Sequence, residues 1–367
     1  MALSLGTSDD GKRRRLQTTC KSRKEAAAKL HEWKAAQRDR VDLSQKNATI
    51  SALIDTWLSN CERRVKPTTL HSYEQMVRLH VRPALGTLKI MAVTAQMLDR
   101  FFATKAEEGL GPSSVRYLKR LLHAIFEQAI DYDLVARNVV ERTAKLPESK
   151  FQASFLTPEQ MRLLLPVLPE SVYGEYICVC LFTGMRPAEV RGLRWSDIDL
   201  HDDGGMIRVR QQIKDDLTGG GYLTQSPKTR KGRRDIPLPA VVARRLINYR
   251  RQVSEPSEVP ENLVDQVPNP EWSDLVFRGT AGLPLNERYI RRIFKKCLED
   301  AGLDPTIRLY DMRHTANVLL AETGASPEER REILGHSSLH MTIGVYGHAT
   351  PDSKISAMQR LDNLLSE

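Results

Sequence analysis

The sequence predicts a mainly α-helical protein with a small antiparallel β-sheet set into its C-terminal half, an α+β organisation. Three observations carry this expectation. Apolar residues recur at helical spacing along residues 47–142, strand-like segments cluster around the Gly219-Gly220-Gly221 turn, and helical patterns resume from there to the end. At 367 residues there is room for two compact domains and an appendage, and a hydrophobic content of 41% is ordinary for a folded chain.

The appendage is residues 1–46. Within Ser4–Thr19, Asp9-Asp10-Gly11 between short polar strands signals a hairpin whose return strand carries Arg13, Arg14 and Arg15. An Ala-rich helix follows from Ser22, with Leu30 and Trp33 as its few large apolar groups. Twelve Lys or Arg against six Asp or Glu give this segment +6 of the chain's +9 net charge, and the pI is near 9.3. Such an excess points to a polyanionic partner, a nucleic acid above all.

Residues 47–142 read as a four-helix domain. Ile50, Leu53, Ile54, Trp57 and Leu58 form one apolar face, Thr68 or Thr69 is expected to cap the next helix, Pro83 and Gly86 punctuate it, and Thr94 and Pro112 open the last two. Lys66, Arg78, Arg82, Lys89, Arg116, Lys119 and Arg120 are spread along these helices. They read either as a phosphate-tracking surface or as solvated helix faces.

A linker is expected at 143–156, where Pro147 and several charges fall, and a second domain at 157–367. Thr157-Pro158-Glu159-Gln160 opens it with a capping box and a proline in the first turn. The segments MIRVRQQI, YLTQSP and RRDIPL are its strands, taken together as one sheet. No run approaches the roughly 18 apolar residues that span a bilayer, and the N-terminus lacks a secretory apolar core, so a cytoplasmic location is expected. The five cysteines (Cys20, Cys61, Cys178, Cys180, Cys297) show no zinc-finger spacing and read as reduced thiols, so no metal site is expected.

Four clusters in the C-terminal domain carry candidate chemistry: Thr183-Gly184-Met185-Arg186 with Glu189, Tyr310-Asp311-Met312-Arg313-His314-Thr315, Leu334-Gly335-His336, and Tyr346 ten residues on. Each has an ordinary reading alone: a local ion pair, a surface arginine, a helix-capping glycine, a core histidine, an interface tyrosine. In this order, with a lysine in a basic hairpin between the first two, the set resembles the catalytic core of the tyrosine recombinase (phage-type integrase) family. Upstream, residues 47–142 are similar to that family's helical core-binding domain and residues 1–46 to its arm-type DNA-binding module. The module begins in mid-pattern, which points to a truncated or misassigned start.

The resemblance implies a site-specific recombinase that cleaves and rejoins DNA through a 3′-phosphotyrosine, integrating or excising a phage or mobile element without metal, ATP or cofactor. It implies Tyr346 as nucleophile, Arg186 and Arg313 on the phosphate oxygens, His336 as neighbour of the phenol, and Lys228 as proton donor to the leaving 5′ oxygen, with Lys231 as its rival. Tyr310 occupies a position that usually bears histidine, Glu189 is expected to orient its region, and Asp311 to cap the helix of Arg313. Expected DNA contacts are Arg13, Arg14, Arg15, Lys66, Arg116, Lys119, Lys231 and Arg233. Expected partners are double-stranded attachment sites, a homo-tetramer on two duplexes, a host DNA-bending factor and an excision factor, with no membrane. The apolar stripe Ile355, Met358, Leu361, Leu364, Leu365 reads either as folding back on its own domain or, by the resemblance, as docking on a neighbouring subunit. The residue types suit phosphoryl transfer, since guanidinium forks bind two oxygens and a phenol conserves the bond energy that water would discard. The rival readings are an inactive DNA-binding regulator or architectural protein on the same fold, and a relaxing type IB topoisomerase.

Overall fold

The computed structural model describes residues 2–7, 13–38, 41, 47–147, 154–216, 220–227, 232–254, 270–279, 282–339 and 342, with side chains from residue 17 onward except at 32, 35–38, 254 and 270. Lys228, Lys231, Tyr346 and the 355–365 stripe lie outside the described residues, as do the side chains of Arg13, Arg14 and Arg15. The chain separates into two units, Met1–Lys150 and Phe151–Glu367.

In the first unit, β1 (Ala2–Thr7) and β2 (Arg13–Gln17) pair antiparallel in the register Leu3↔Leu16, the expected hairpin. Helix α1 (Arg23–Arg38) starts where Ser22 Oγ accepts the Glu25 N–H at 3.1 Å while Glu25 Oε2 accepts that of Lys21 at 2.9 Å. The helical domain then runs through α2 (Ile50–Glu62), α3 (Pro67–Met76), which continues by a π-turn at Val77–Val81 into α4 (Arg82–Leu85), α5 (Ala95–Glu107) and α6 (Pro112–Asp131). Thr94 caps α5 as expected, accepting the Met97 N–H at 3.2 Å. Neither Thr68 nor Thr69 caps α3. That helix begins at Pro67, whose fixed φ and missing N–H suit a first turn, with Lys66 at the cap position. Ile50, Leu53, Ile54 and Trp57 meet Val77, Leu98, Phe102, Leu122 and Phe126 in one core.

Part of the expected linker belongs to this domain. Asp99 Oδ1 accepts the Ala144 N–H at 2.9 Å, and Lys119 and Arg116 donate to the carbonyls of Ala144 and Pro147, each at 2.8 Å. Those two cations, expected on DNA, thus hold the chain that leaves their own domain. Arg82 is engaged by Asp55 and Lys89 by Asn47, whereas Lys66 is exposed.

In the second unit, Thr157 and Gln160 form the expected capping box of α7 (Pro158–Leu164). Helix α8 (Val172–Thr183) is buried and mostly apolar, with Glu175 held by Arg245, so it forms the centre of the core. After α9 (Pro187–Arg191), the sheet differs from the single one expected. Strands β3 (Ile198–His201), β4 (Gly204–Val209) and β7 (Arg234–Pro239) pair antiparallel in the order β3-β4-β7, while β5 (Gln212–Asp215) and β6 (Tyr222–Gln225) form a separate hairpin. The expected strand MIRVRQQI breaks at Arg210-Gln211 because the Gln211 amide turns in to donate to Gly192 O at 2.9 Å. Helices α10 (Ala240–Ser254), α11 (Glu287–Asp300), α12 (Met312–Glu322) and α13 (Pro327–Leu334) complete the unit. Among the described residues no helix is long and apolar enough to cross a membrane.

Candidate active site

Two left-handed glycines bring three distant segments together. Gly184 (φ 59°) ends α8 and Gly335 (φ 67°) ends α13. A Cβ on Gly184 would lie 2.4 Å from Leu334 Cδ2 and 2.9 Å from Ala316 Cβ, so the bare backbone lets the end of α8 seat against α12 and α13. Tyr176 Oη donates to Pro187 O at 2.7 Å and fixes the start of α9. Arg186 therefore enters at the cap of α9, Arg313 in the first turn of α12, and His336 just past α13.

Arg313 is 3% exposed. Its Nη1 donates to Gly184 O at 2.8 Å and its Nε to His336 Nε2 at 3.2 Å, while Nη2 is buried with no hydrogen-bond partner among the described residues. An unpaired buried donor of this kind costs about 1–3 kcal/mol, a cost that an anion binding there would remove. Since His336 Nε2 accepts, its Nδ1–H donates to Thr342 Oγ1 at 2.9 Å, and Thr342 O in turn accepts from Asn317 Nδ2 at 3.0 Å.

Arg186 donates through Nη1 to Glu189 Oε1 at 2.7 Å, and its backbone N–H to Oε2 at 3.0 Å. Its Nη2 lies 3.5 Å from Gly335 O. Glu189, 1% exposed, is shared with an arginine that the sequence reading did not single out: Arg234 Nη2 donates to its Oε2 at 3.1 Å. Tyr310 is 46% exposed, with its hydroxyl toward Arg186 and its ring 6.3 Å from that of His314.

The electrostatics follow from burying three guanidinium groups beside one carboxylate. Burial, then Arg186 and Arg234, lowers Arg313 from its ordinary value to about 9. Burial and then Arg313 lower His336 to about 3, so it is neutral near pH 7. Burial alone would raise the Glu189 carboxyl, but Arg234 and Arg186 hold it below its usual range. Such a site is short of negative charge and suited to a phosphate.

Thus Arg186, Glu189, Arg313 and His336 are brought together, with Tyr310 at the edge. Asp311 stands at the N-cap of α12, but its side chain does not cap the helix. Its carboxylate turns back to accept the Arg308 N–H at 2.9 Å and the Arg308 guanidinium at 3.0 and 2.8 Å, closing the turn ahead of that helix. Arg233 is exposed beside the cluster in sequence. Thr342 and Arg234 are the residues missed. Arg234 had a signal, because it shares the inward parity of Ile236 and Leu238 on β7. Among the described residues, His123, Glu127 and Glu141 in the first unit have ligand-type atoms within 4.8 Å of one another, two of the three being exposed.

Comparison with known proteins gives a consistent picture. Residues 154–352 match the Phage integrase family and residues 49–105 the phage integrase N-terminal SAM-like domain. The chain is 27% identical to a XerC-like tyrosine recombinase of Caldanaerobacter subterraneus subsp. tengcongensis, over 99% of this chain and 95% of that protein. It is 26% identical to the ICEBs1 integrase of Bacillus subtilis, over 97% and 94%. Its fold matches the Tn1549 transposon integrase in complex with a circular-intermediate DNA with a TM-score of 0.71 at 25% identity, covering 85% of this chain and 99% of that one.

Proposed function

Because this chain belongs to the phage integrase family of tyrosine recombinases, we propose that the Arg186–Arg313–His336 cluster binds the scissile phosphate of an attachment-site duplex and that Tyr346 attacks it. The phenolic oxygen forms a bond to phosphorus as the bond to the 5′ oxygen breaks, leaving a 3′-phosphotyrosyl enzyme and a free 5′ hydroxyl. That hydroxyl on a partner duplex then attacks the phosphotyrosine, releasing the phenol and rejoining the strand. The bond energy is conserved throughout, so the exchange consumes no ATP, and the arginines supply the positive charge that phosphoryl transfer demands.

The observation that carries this reading is the buried, unpaired Nη2 of Arg313 beside Arg186. A phosphate accepting from it and from Arg186 draws Arg313 away from His336, and the freed Nε2 takes the proton of Tyr346. Tyr346 follows Thr342, the residue bonded to His336, by four positions. Lys228 protonates the leaving 5′ oxygen, with Lys231 as the alternative, and the Tyr310 hydroxyl supports the phosphate beside Arg186. In this reading the side chains supply the charge and no metal takes part.

The element's attachment sites are duplex DNA held by both units, with Lys66, Arg116, Lys119, Lys231 and Arg233 tracking phosphates and the basic 1–46 module, through Arg13, Arg14 and Arg15, binding arm sites. Four copies act on two duplexes, the 355–365 stripe docking between neighbours, assisted by a DNA-bending host factor and an excision factor, in the cytoplasm. The test uses nicked duplexes tiled across the junctions of the element that carries the gene. A covalent adduct with the unmutated enzyme and none with Tyr346→Phe supports the reading; no adduct on any junction overturns it.

A further inference from the structure

Arg234 is 9% exposed and belongs to no motif that led to the site. All three of its nitrogens are engaged within the protein. Nη2 donates to Glu189 at 3.1 Å, Nε to Ile333 O in the last turn of α13 at 2.7 Å, and Nη1 to Gly232 O at 3.1 Å. One guanidinium therefore joins the carboxylate beside Arg186, the helix end that delivers His336, and the far end of the 226–232 segment that carries Lys228 and Lys231.

The charges explain why an arginine stands on the inward face of a strand. Glu189 is needed to hold Arg186, through two bonds of 2.7 and 3.0 Å. A lone carboxylate there would cancel the positive charge that Arg186 brings to a phosphate. With Arg234 on its other oxygen, three guanidinium groups face one carboxylate, an excess of two positive charges, which matches the dianionic character of a phosphorane-like transition state. Removing Arg234 halves that excess while leaving every phosphate contact in place.

We propose that Arg234 is a positioning residue for strand cleavage: it carries the counter-charge of Glu189, so that Arg186 keeps its charge for the phosphate, and it ties Gly232 to the end of α13 that precedes His336. This rests on the recombinase reading above. Because all its nitrogens are committed within the protein, Arg234 acts through Glu189, Gly232 and Ile333 and does not touch DNA.

The test is single-turnover cleavage of the nicked junction duplex by wild type, Arg234→Gln, Arg234→Lys, Glu189→Gln and the double variant Glu189→Gln/Arg234→Gln, with DNA affinity and melting temperature followed for each. Arg234→Gln is expected to cleave about tenfold slower or worse at unchanged DNA affinity. Arg234→Lys keeps the charge and should stay within about threefold of wild type. The double variant restores the excess of two charges and should cleave faster than Arg234→Gln, although it has lost one more charged group. A purely structural role predicts the opposite order, with the double variant slowest. Should Arg234→Gln fail to fold, the double variant and Arg234→Lys still decide: both cleaving within about tenfold of wild type supports the proposal. A double variant as slow as Arg234→Gln, or an unimpaired Arg234→Gln, overturns it while the recombinase reading stands. No adduct from wild type contradicts that reading itself, and this inference with it.

Discussion

Arg313 Nε donates to His336 Nε2 across 3.2 Å, so the buried guanidinium and the imidazole hold each other. The imidazole is thereby fixed as the Nδ1–H tautomer. With its pKa lowered to about 3 by burial and the neighbouring arginines, His336 stays neutral through the physiological range. Nitrogen NMR of selectively labelled protein should show this neutral tautomer at pH 6 with no titration above pH 4. An imidazolium at pH 6 contradicts it.

The same shift makes a stability prediction. His336 is about 3 when folded against an ordinary 6.5, so between these values the unfolded chain binds the extra proton and stability falls as pH drops below 6.5. From pH 6.5 to 5 this single group costs about 2 kcal/mol. Urea unfolding at the two pH values should show His336→Asn losing less than wild type by roughly that amount, with the half-buried His314 acting in the same sense in both proteins.

Arg186 and Arg313 differ from lysine in their forks. Replacing either by Lys should lower the single-turnover cleavage rate by about 100- to 1000-fold while duplex affinity changes little. A variant that loses affinity and keeps its rate would move these residues from the reaction to binding.

Gly184 is a left-handed helix end with no room for a methyl group, since Leu334 Cδ2 would lie 2.4 Å away. Gly184→Ala should cost about 2 kcal/mol or more, read as a lowered melting temperature. It should also slow cleavage, because the Gly184 carbonyl holds Arg313 at 2.8 Å.

Thr342→Val removes the acceptor of His336 Nδ1–H and leaves a buried donor unpaired. A loss of about 1–3 kcal/mol in stability and a shifted His336 tautomer equilibrium are expected, the second visible in the same NMR spectrum.

Much of the site was legible through the order of its motifs, which resembles that of a known family, and two of those motifs fall at helix ends marked by glycine. Thr183-Gly184-Met185-Arg186 and Leu334-Gly335-His336 each place a functional group just after a left-handed cap, and local sequence encodes that geometry. Long-range partnerships left no local mark. The carbonyl acceptors of Arg116 and Lys119 lie 31 and 25 residues away and could not be read locally, and the Asp311 carboxylate could turn toward either side of its own turn. The helices followed from periodicity, whereas the division into two sheets depends on the buried Gln211 amide, a polar group inside a run that reads as one strand. Arg234 was readable only as one more base in a basic hairpin until its parity with Ile236 and Leu238 was set beside the buried carboxylate it meets.

A covalent bond between the phenol at position 346 and DNA has a direct chemical readout. Trypsin cuts after Arg331 and Lys354, so the covalent complex trapped on nicked junction DNA, digested with nuclease and trypsin, should yield peptide 332–354 bearing a nucleotide on Tyr346. Fragmentation placing the added mass on Tyr346, with none in Tyr346→Phe, is the predicted result. An adduct on any other residue, or one that survives Tyr346→Phe, contradicts it.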